Sequence, residues 1–364
     1  MKVGTPVRPD ELLIVDRDTV ERCLAKQDPV ALVEAMLLQH AAGGTVLPAE
    51  GYLAWRNDSG AYTRAIAMLG GADTPSGRAY GMKLINASVS NPDLGIERAG
   101  GFTVLFDPQT ARPTALVEAG HISAERTAAY TMSTLRVLGP TGFDAVSLVG
   151  CGALARAHVR LLHRYFPDVR HVHVFDLDPA RARRFEADVT ARLPTFTVHH
   201  HPDAGSCVGA SQVVVTLTVS DTPYLAAERL RPGTLVAHVS LDDLLPEVFA
   251  QAEAVYVDDL DLVRDNPRRI LGALIRDGDV VVPGTTGAPP SGHGRAVSGT
   301  YPDVLRGVTP AVRPDRGIVV SNPFGMAIAD VVMCRAVVDV ARAEGLGSTV
   351  DLLGAATRAG GTAR

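Results

Sequence analysis

Aromatic residues are scarce in this chain, 5% of its 364 positions with a single tryptophan, so its interior must be assembled from aliphatic side chains. Cysteine is scarce too: Cys23, Cys151, Cys207 and Cys334 show no C-x-x-C or other metal-binding spacing. That excludes a disulfide-stapled scaffold and a structural zinc site, and a reduced, cytoplasmic compartment is expected. Positive charge is not in excess, since 35 Lys and Arg against 40 Asp and Glu give a net charge of −5. Without a large basic cluster, a nucleic-acid-binding surface is not expected. No apolar run is long enough to span a bilayer and the first residues lack the apolar stretch of a secretory signal, so no membrane partner is expected either.

What is present is material for a large core. Apolar residues make up 46% and charged residues 21% of the chain, a globular composition whose length suggests two domains. Leu12 to Val15 reads as a strand, with Asp16 or Asp18 placed to cap the next helix, and Val30 to His40 as an amphipathic helix. From Val46 to Glu118 short apolar runs predict an antiparallel sheet: Gly51 to Trp55, Tyr62 to Leu69, Tyr80 to Asn86, Phe102 to Phe106 and Thr114 to Val117. Gly43-Gly44 and Gly70-Gly71 read as turns, and Ser123 to Leu138 as a helix with Ser123 at its N-cap. Beyond Gly139-Pro140-Thr141-Gly142, strand candidates alternate with helices in the rhythm of a parallel sheet: Ala145 to Val149, His171 to Asp176, Thr195 to His199, Gln212 to Leu217, Thr234 to Val239 and Ala254 to Asp258. Pro283 to Gly299 is a loop by composition; Ile318 to Val320, a long helix from Gly325 to Ala343 and a frayed tail AATRAGGTAR follow.

The stretch Ala145 to Leu162, AVSLVGCGALARAHVRLL, carries the chemistry most plainly. Gly150-Cys151-Gly152-Ala153-Leu154-Ala155 is a G-x-G-x-x-A fingerprint between a strand and a helix. There the first glycine permits the tight turn, the second lets a pyrophosphate approach bare backbone, and the helix N-terminus faces the phosphates. The next strand candidate ends in Asp176, where a carboxylate accepts from the ribose 2′-hydroxyl and repels a 2′-phosphate, so the expected cofactor is NAD. Arg181, Arg183 and Arg184 are read as the solvated face of the following helix rather than a 2′-phosphate site. His199-His200-His201 invites a metal reading, but adjacent strand residues point to opposite faces and no companion ligands appear, so a solvated loop and no metal are expected.

Several separated stretches resemble the ornithine cyclodeaminase and mu-crystallin family: Gly81-Met82-Lys83-Leu84-Ile85-Asn86, Leu105 to Pro113, and Ile122-Ser123-Ala124-Glu125-Arg126-Thr127-Ala128-Ala129. Arg64 to Met68, Thr222-Pro223-Tyr224, His238 to Leu244 and Asn322-Pro323-Phe324-Gly325-Met326 before Asp330 are similar to its 2,3-diaminopropionate-forming branch, the dehydrogenases of N-(2-amino-2-carboxyethyl)-L-glutamate. The resemblance implies an α/β chain in which a Rossmann nucleotide-binding domain (140–320) is inserted in an α+β substrate-binding and dimerisation domain (1–139 with 321–364). It implies a homodimer and a small amino-acid substrate, oxidised with NAD to an imine that water opens to 2,3-diaminopropionate and 2-oxoglutarate in siderophore or antibiotic biosynthesis. An ornithine or lysine cyclodeaminase using NAD catalytically is the alternative, to which Asn86 is the more similar. A ketimine reductase or a non-enzymatic nicotinamide-dependent binding protein is a third possibility.

Such chemistry needs cations for carboxylates and a group to move protons. Lys83, in the apolar run GMKLI, is presented by a strand to an interior, and the resemblance places it near the reacting carbon. Arg64 and Arg126 offer planar forks for carboxylates, with Arg98 a further candidate. By resemblance Arg126, Arg64 and Met68 meet substrate, while Thr127, Thr216, Ser240 and Asp330 join Gly150, Gly152, Ala153, Leu154 and Asp176 at the cofactor. Arg126 and Thr127 are expected at a helix start, where anions are favoured, and Asp330 is either a helix-dipole partner or a site residue. Asp242 and Asp243 follow an apolar strand at the edge where ligands bind, so either is a candidate acid/base. Asp242 stands where the branch carries arginine, an anion in place of a cation.

Overall fold

The computed structural model describes residues 11–266, 269–282 and 295–352. The expected Pro283 loop up to position 294, and the expected tail, lie outside the described residues. The chain divides into two compact units, Met1–Arg126 with Met326–Arg364, and Thr127–Gly325.

The first unit opens with β1 (Glu11–Val15) and two helices that the sequence caps itself. Asp16 accepts the Thr19 N–H ahead of α1 (Arg17–Leu24), and Asp28 accepts that of Ala31 ahead of α2 (Pro29–Ala41). The predicted meander follows as β2 (Gly51–Arg56), β3 (Tyr62–Thr74), β4 (Gly77–Ser88), β5 (Ala99–Phe106) and β6 (Pro113–Glu118), each antiparallel to the next. β3 runs straight through Gly70-Gly71, which the sequence alone suggested as a turn. A Cβ on Gly70 would lie 3.0 Å from Ile328 Cγ2, and one on Gly71 2.5 Å from the Tyr80 ring. These glycines make room for packing rather than bend the chain. The helix α3 (Ala119–Leu138) begins before Ser123, because Glu118 accepts the N–H groups of Gly120 and His121, both at 2.9 Å, and does the capping instead. Arg126 and Thr127 therefore lie inside a helix, not at its start.

The second unit is a parallel, doubly wound sheet. Its elements are β7 (Ala145–Val149), α4 (Ala153–Tyr165), β8 (His171–Phe175), α5 (Pro179–Arg192), β9 (Thr197–His200), α6 (Ala204–Val208), β10 (Val213–Thr216), β11 (Thr234–His238), α7 (Pro246–Gln251), β12 (Ala254–Val257), α8 (Leu260–Asp265) and α9 (Ile270–Asp277), then a small β13 (Val280–Val281) paired with β14 (Arg295–Ala296), and β15 (Gly299–Thr300), α10 (Tyr301–Leu305) and β16 (Ile318–Asn322). The strand order β15-β12-β16-β11-β10-β7-β8-β9 reverses direction at β7, the switch point at which such sheets open a crevice. Its middle strands are wholly buried and mostly aliphatic, as a parallel sheet covered on both faces requires. His199 and His200 lie on β9 instead of in a loop. His171 Nδ1 is 3.1 Å from His199 Nε2 and His173 Nδ1 3.0 Å from His201 Nε2, a ladder along the β8–β9 edge.

The chain then returns to the first unit through α11 (Ala327–Glu344) and β17 (Ser348–Asp351), which closes a seven-stranded sheet of order β17-β1-β6-β5-β4-β3-β2. One face of that sheet is packed by α11, where Gly70 and Gly81 admit Ile328 and Val331. On the other face Leu53, Trp55 and Leu69 are 63%, 44% and 43% exposed. The α/β class is as the strand and helix pattern predicts, and the inserted doubly wound unit as the family resemblance implies. No helix among the described residues is long and apolar enough to cross a membrane.

Candidate active site

In the second unit the glycine turn is built as its sequence requires. Gly150 follows β7 with φ +102°, and a Cβ there would meet the Leu217 carbonyl oxygen at 2.7 Å, so only glycine fits. Gly152 caps α4 without a side-chain bond, and a Cβ on it would meet nothing within 4 Å. The first-turn amides at Ala153 and Leu154 therefore adjoin open space. The Cys151 N–H donates to Asp176 Oδ2 at 2.9 Å, and the Asp178 N–H to Oδ1 at 2.9 Å. Asp176, at the end of β8, is thus pinned against the turn with its side chain 7% exposed. Arg181 stands 3.4 Å from the same carboxylate and Arg184 pairs with Asp178. Burial beside Asp176 pushes the Cys151 thiol up to about 12, so it is inert at neutral pH.

A second cluster forms where β10 and β11 end. Asp243, fully buried, accepts from Thr218 Oγ1 at 2.5 Å, from the Tyr224 hydroxyl at 2.9 Å and from Ser240 Oγ, which also lies 2.9 Å from Thr216 Oγ1. Burial alone would raise this carboxyl, but the Ser240 and Thr218 hydroxyls that donate to it hold it below the usual carboxylate range. Burial and Asp243 push the Tyr224 phenol well above its ordinary value. Asp242 turns elsewhere, to the Arg269 guanidinium and, at 3.1 Å, the Ile270 N–H that opens α9. It serves as that helix's anchor, and Arg269 supplies a cation beside the position where arginine was expected. Leu241 between Ser240 and Asp242 has φ 75, a left-handed conformation costly for a branched side chain. Thr218, Tyr224, His238 and Asn322 carried no assigned role in the sequence reading; Tyr224, His238 and Asn322 lie in tracts quoted for the resemblance.

The first unit holds a buried ionic cluster. Alternation along β4 turns Lys83 to the covered face, in a cross-strand row with Met68, Thr103 and Val117. Its Nζ donates to Asp330 Oδ2 at 2.8 Å, with both side chains essentially inaccessible. Arg126 Nε stands 3.4 Å from the same oxygen. Asp330 lies in the first turn of α11 and joins this cluster. Burial lowers the Lys83 ammonium's pKa and Arg126 adds to the effect, against the opposing pull of Asp330. Two cations face one carboxylate, and Arg126 Nε, Asp330 Oδ1 and Thr103 Oγ1 remain buried without a hydrogen-bond partner. Among the described residues the guanidinium groups of Arg64 and Arg98 pair with no carboxylate, and burial and Arg64 bring Arg98 down to about 10. No group of three or more His, Cys, Asp or Glu suited to a metal occurs among the described residues.

The chain is 29% identical over 350 residues to the N-((2S)-2-amino-2-carboxyethyl)-L-glutamate dehydrogenase of Staphylococcus aureus, covering 94% of this chain and 99% of that one. The crystal structure of CmnK is 55% identical, with a TM-score of 0.88, over 95% of this chain and all of that one. An archaeal alanine dehydrogenase dimer with bound NAD shares the fold at 23% identity, with a TM-score of 0.78 over 94% of this chain and 99% of that one. The model of the ornithine cyclodeaminase/mu-crystallin family matches residues 11–345, and the chain belongs to that family.

Proposed function

We propose that this chain, an NAD-dependent oxidoreductase, cleaves N-(2-amino-2-carboxyethyl)-L-glutamate or a close analogue to 2,3-diaminopropionate and 2-oxoglutarate, for siderophore or antibiotic assembly. The observation that carries the reading is the surplus of buried positive charge around Lys83, with unpartnered atoms on Arg126, Asp330 and Thr103. A buried cation surplus is relieved when an anion joins it or when the ammonium gives up its proton, and a substrate carboxylate is the anion an amino-acid enzyme meets. The 29% identical dehydrogenase supports the choice of substrate.

The second unit fits NAD. Gly150, Gly152, Ala153 and Leu154 would hold the pyrophosphate on the α4 amides, Asp176 the ribose, and Thr216, Ser240 and Thr127 the rest, while Gly152 leaves the space a side chain would fill. When bound, NAD supplies the acceptor for a hydride from the glutamyl α-carbon. Arg126 and Arg64 clamp carboxylates as planar forks, with Met68 beside Lys83 in the same cross-strand row. Lys83, made easier to deprotonate by burial, takes a proton from the water that adds at the oxidised carbon and returns it to the departing amine. Asp243, held anionic, orders the hydroxyls of Ser240, Thr218 and Tyr224 instead of exchanging protons itself.

Asn86, the residue more similar to a cyclodeaminase, lies on the sheet face opposite Lys83, paired with Ala65 and Gly100. The cleavage reading is therefore preferred. The test is absorbance at the NADH band while the glutamate adduct is added to purified protein. Sustained NADH formation, mole for mole with 2-oxoglutarate, is expected. Conversion of ornithine or lysine with no net NADH would replace the reading by a cyclodeaminase.

A further inference from the structure

His238 closes β11, is fully buried, and has no part in the chemistry described so far. Its Nε2 accepts the backbone N–H of Asp243 at 3.0 Å, and its Nδ1 lies 2.8 Å from Asn322 Oδ1. A backbone N–H can only donate, so Nε2 presents a lone pair and the ring proton resides on Nδ1, where the Asn322 oxygen receives it. One neutral imidazole thereby satisfies both neighbours. Nε2 is also 3.6 Å from Asp243 Oδ2, beyond hydrogen-bond range.

The five residues that follow β11 make a strained turn through Leu241, which is buried in the left-handed region. The turn is held from outside itself. The Ser240 N–H donates to Thr216 O at 3.1 Å, and the Asp243 carbonyl accepts the N–H groups of Tyr224 and Leu225, each at 2.8 Å. His238 supplies the remaining clamp, on the Asp243 N–H. Asn322 is itself fixed at the mouth of the Pro323-Phe324-Gly325 turn, whose Phe324 and Gly325 N–H groups are bound by buried Asp258 at 2.9 and 2.6 Å.

We propose that His238 is a positioning residue for the reaction: a neutral imidazole, oriented by Asn322, that holds the Asp243 backbone so that its carboxylate reaches the hydroxyls of Thr218, Tyr224 and Ser240. The proposal rests on the reading that Asp243 serves the chemistry. Without an acceptor at Nε2, the Asp243 N–H is buried unpaired, Leu241 is free to leave its strained conformation, and the carboxylate loses its hydroxyls.

Two variants separate the two ring nitrogens. His238→Gln places a carbonyl oxygen near Nε2, and His238→Asn places one near Nδ1. His238→Gln should retain kcat within roughly threefold, and His238→Asn should lower it by roughly tenfold to a hundredfold, the scale of a displaced site group. In the second variant the acid limb of the kcat/KM profile should move to higher pH, because Asp243 is no longer held ionised, while NAD affinity by fluorescence titration stays unchanged. Equal losses in both variants, or a change confined to KM, would overturn the proposal. Should either variant fail to fold, the native protein still decides the matter by nitrogen NMR of labelled histidine, which reads the tautomer directly. The proton of His238 should sit on Nδ1; a proton on Nε2 refutes it. Native protein showing this tautomer but forming no NADH from the glutamate adduct would instead sink the functional reading, and with it the purpose given to His238.

Discussion

Lys83 and Asp330 are 247 residues apart in sequence and meet as a buried pair. Asp330 stands against both Lys83 and Arg126, so Asp330→Asn strands two buried cations and should cost about 3 kcal/mol or more of stability. Adding Lys83→Met, which takes one of those cations away, should restore much of that loss. Turnover should fall by roughly a hundredfold or more in the double variant, since the amine proposed to move protons is gone. Denaturant midpoints and single-turnover rates check the two halves separately, and full activity in the double variant would return Lys83 to a purely structural role. That Lys83 faces inward was legible, because alternation in an apolar strand reports a face. Its partner was not, because nothing local to Asp330 distinguishes an acid on a helix's first turn from one in an ion pair. The same limit applies to Asp242 and Asp243, adjacent and alike in sequence. Arg269 claims the first, and Thr218, Tyr224 and Ser240 claim the second.

At the scale of elements, α4 is tied to the neighbouring end of α3 through His158, fully buried on α4. Its Nδ1 is 2.7 Å from Leu154 O and its Nε2 3.0 Å from Thr131 Oγ1. Burial lowers its pKa to about 4, against the ring's bond to Leu154 O. The folded value lies below the unfolded value of about 6.5, so the unfolded chain binds the extra proton between these limits. The contribution is whole above about pH 6.5 and is lost as pH falls toward 4, by roughly 3 kcal/mol. Denaturant titrations at neutral and mildly acid pH should show the loss, and His158→Gln should flatten it; a slope unchanged in that variant would point to His173 on β8, whose value burial and the other ladder histidines also bring to about 4. Helices and strands were legible wherever local pattern decides them. Their limits moved where a distant side chain intervened, as when Glu118 capped α3 ahead of Ser123, or Ile328 claimed the space at Gly70.

For the whole molecule we expect a homodimer through the first unit's sheet. Its α11 face is closed, whereas the opposite face leaves Leu53, Trp55 and Leu69 exposed beside Leu84 and Phe102, an apolar face that a two-fold mate would cover. Sedimentation should give a dimer at micromolar concentration, and Leu53→Asp with Leu69→Asp should yield monomer; a native monomer, or an unchanged dimer in that variant, would show that another surface is used. By itself the sequence determined the order of strands and helices, the aliphatic core, and the glycine turn from Gly150 to Leu154 with Asp176 in register, because each depends on near neighbours or a fixed periodicity. Only the tertiary structure decided which charges and hydroxyls share a site. Lys83 with Arg126 and Asp330, and Asp243 with His238 and Asn322, are joined by strand register and helix packing across as many as 247 positions, and the balance of burial against hydrogen bonding that sets their chemistry exists only once those contacts form.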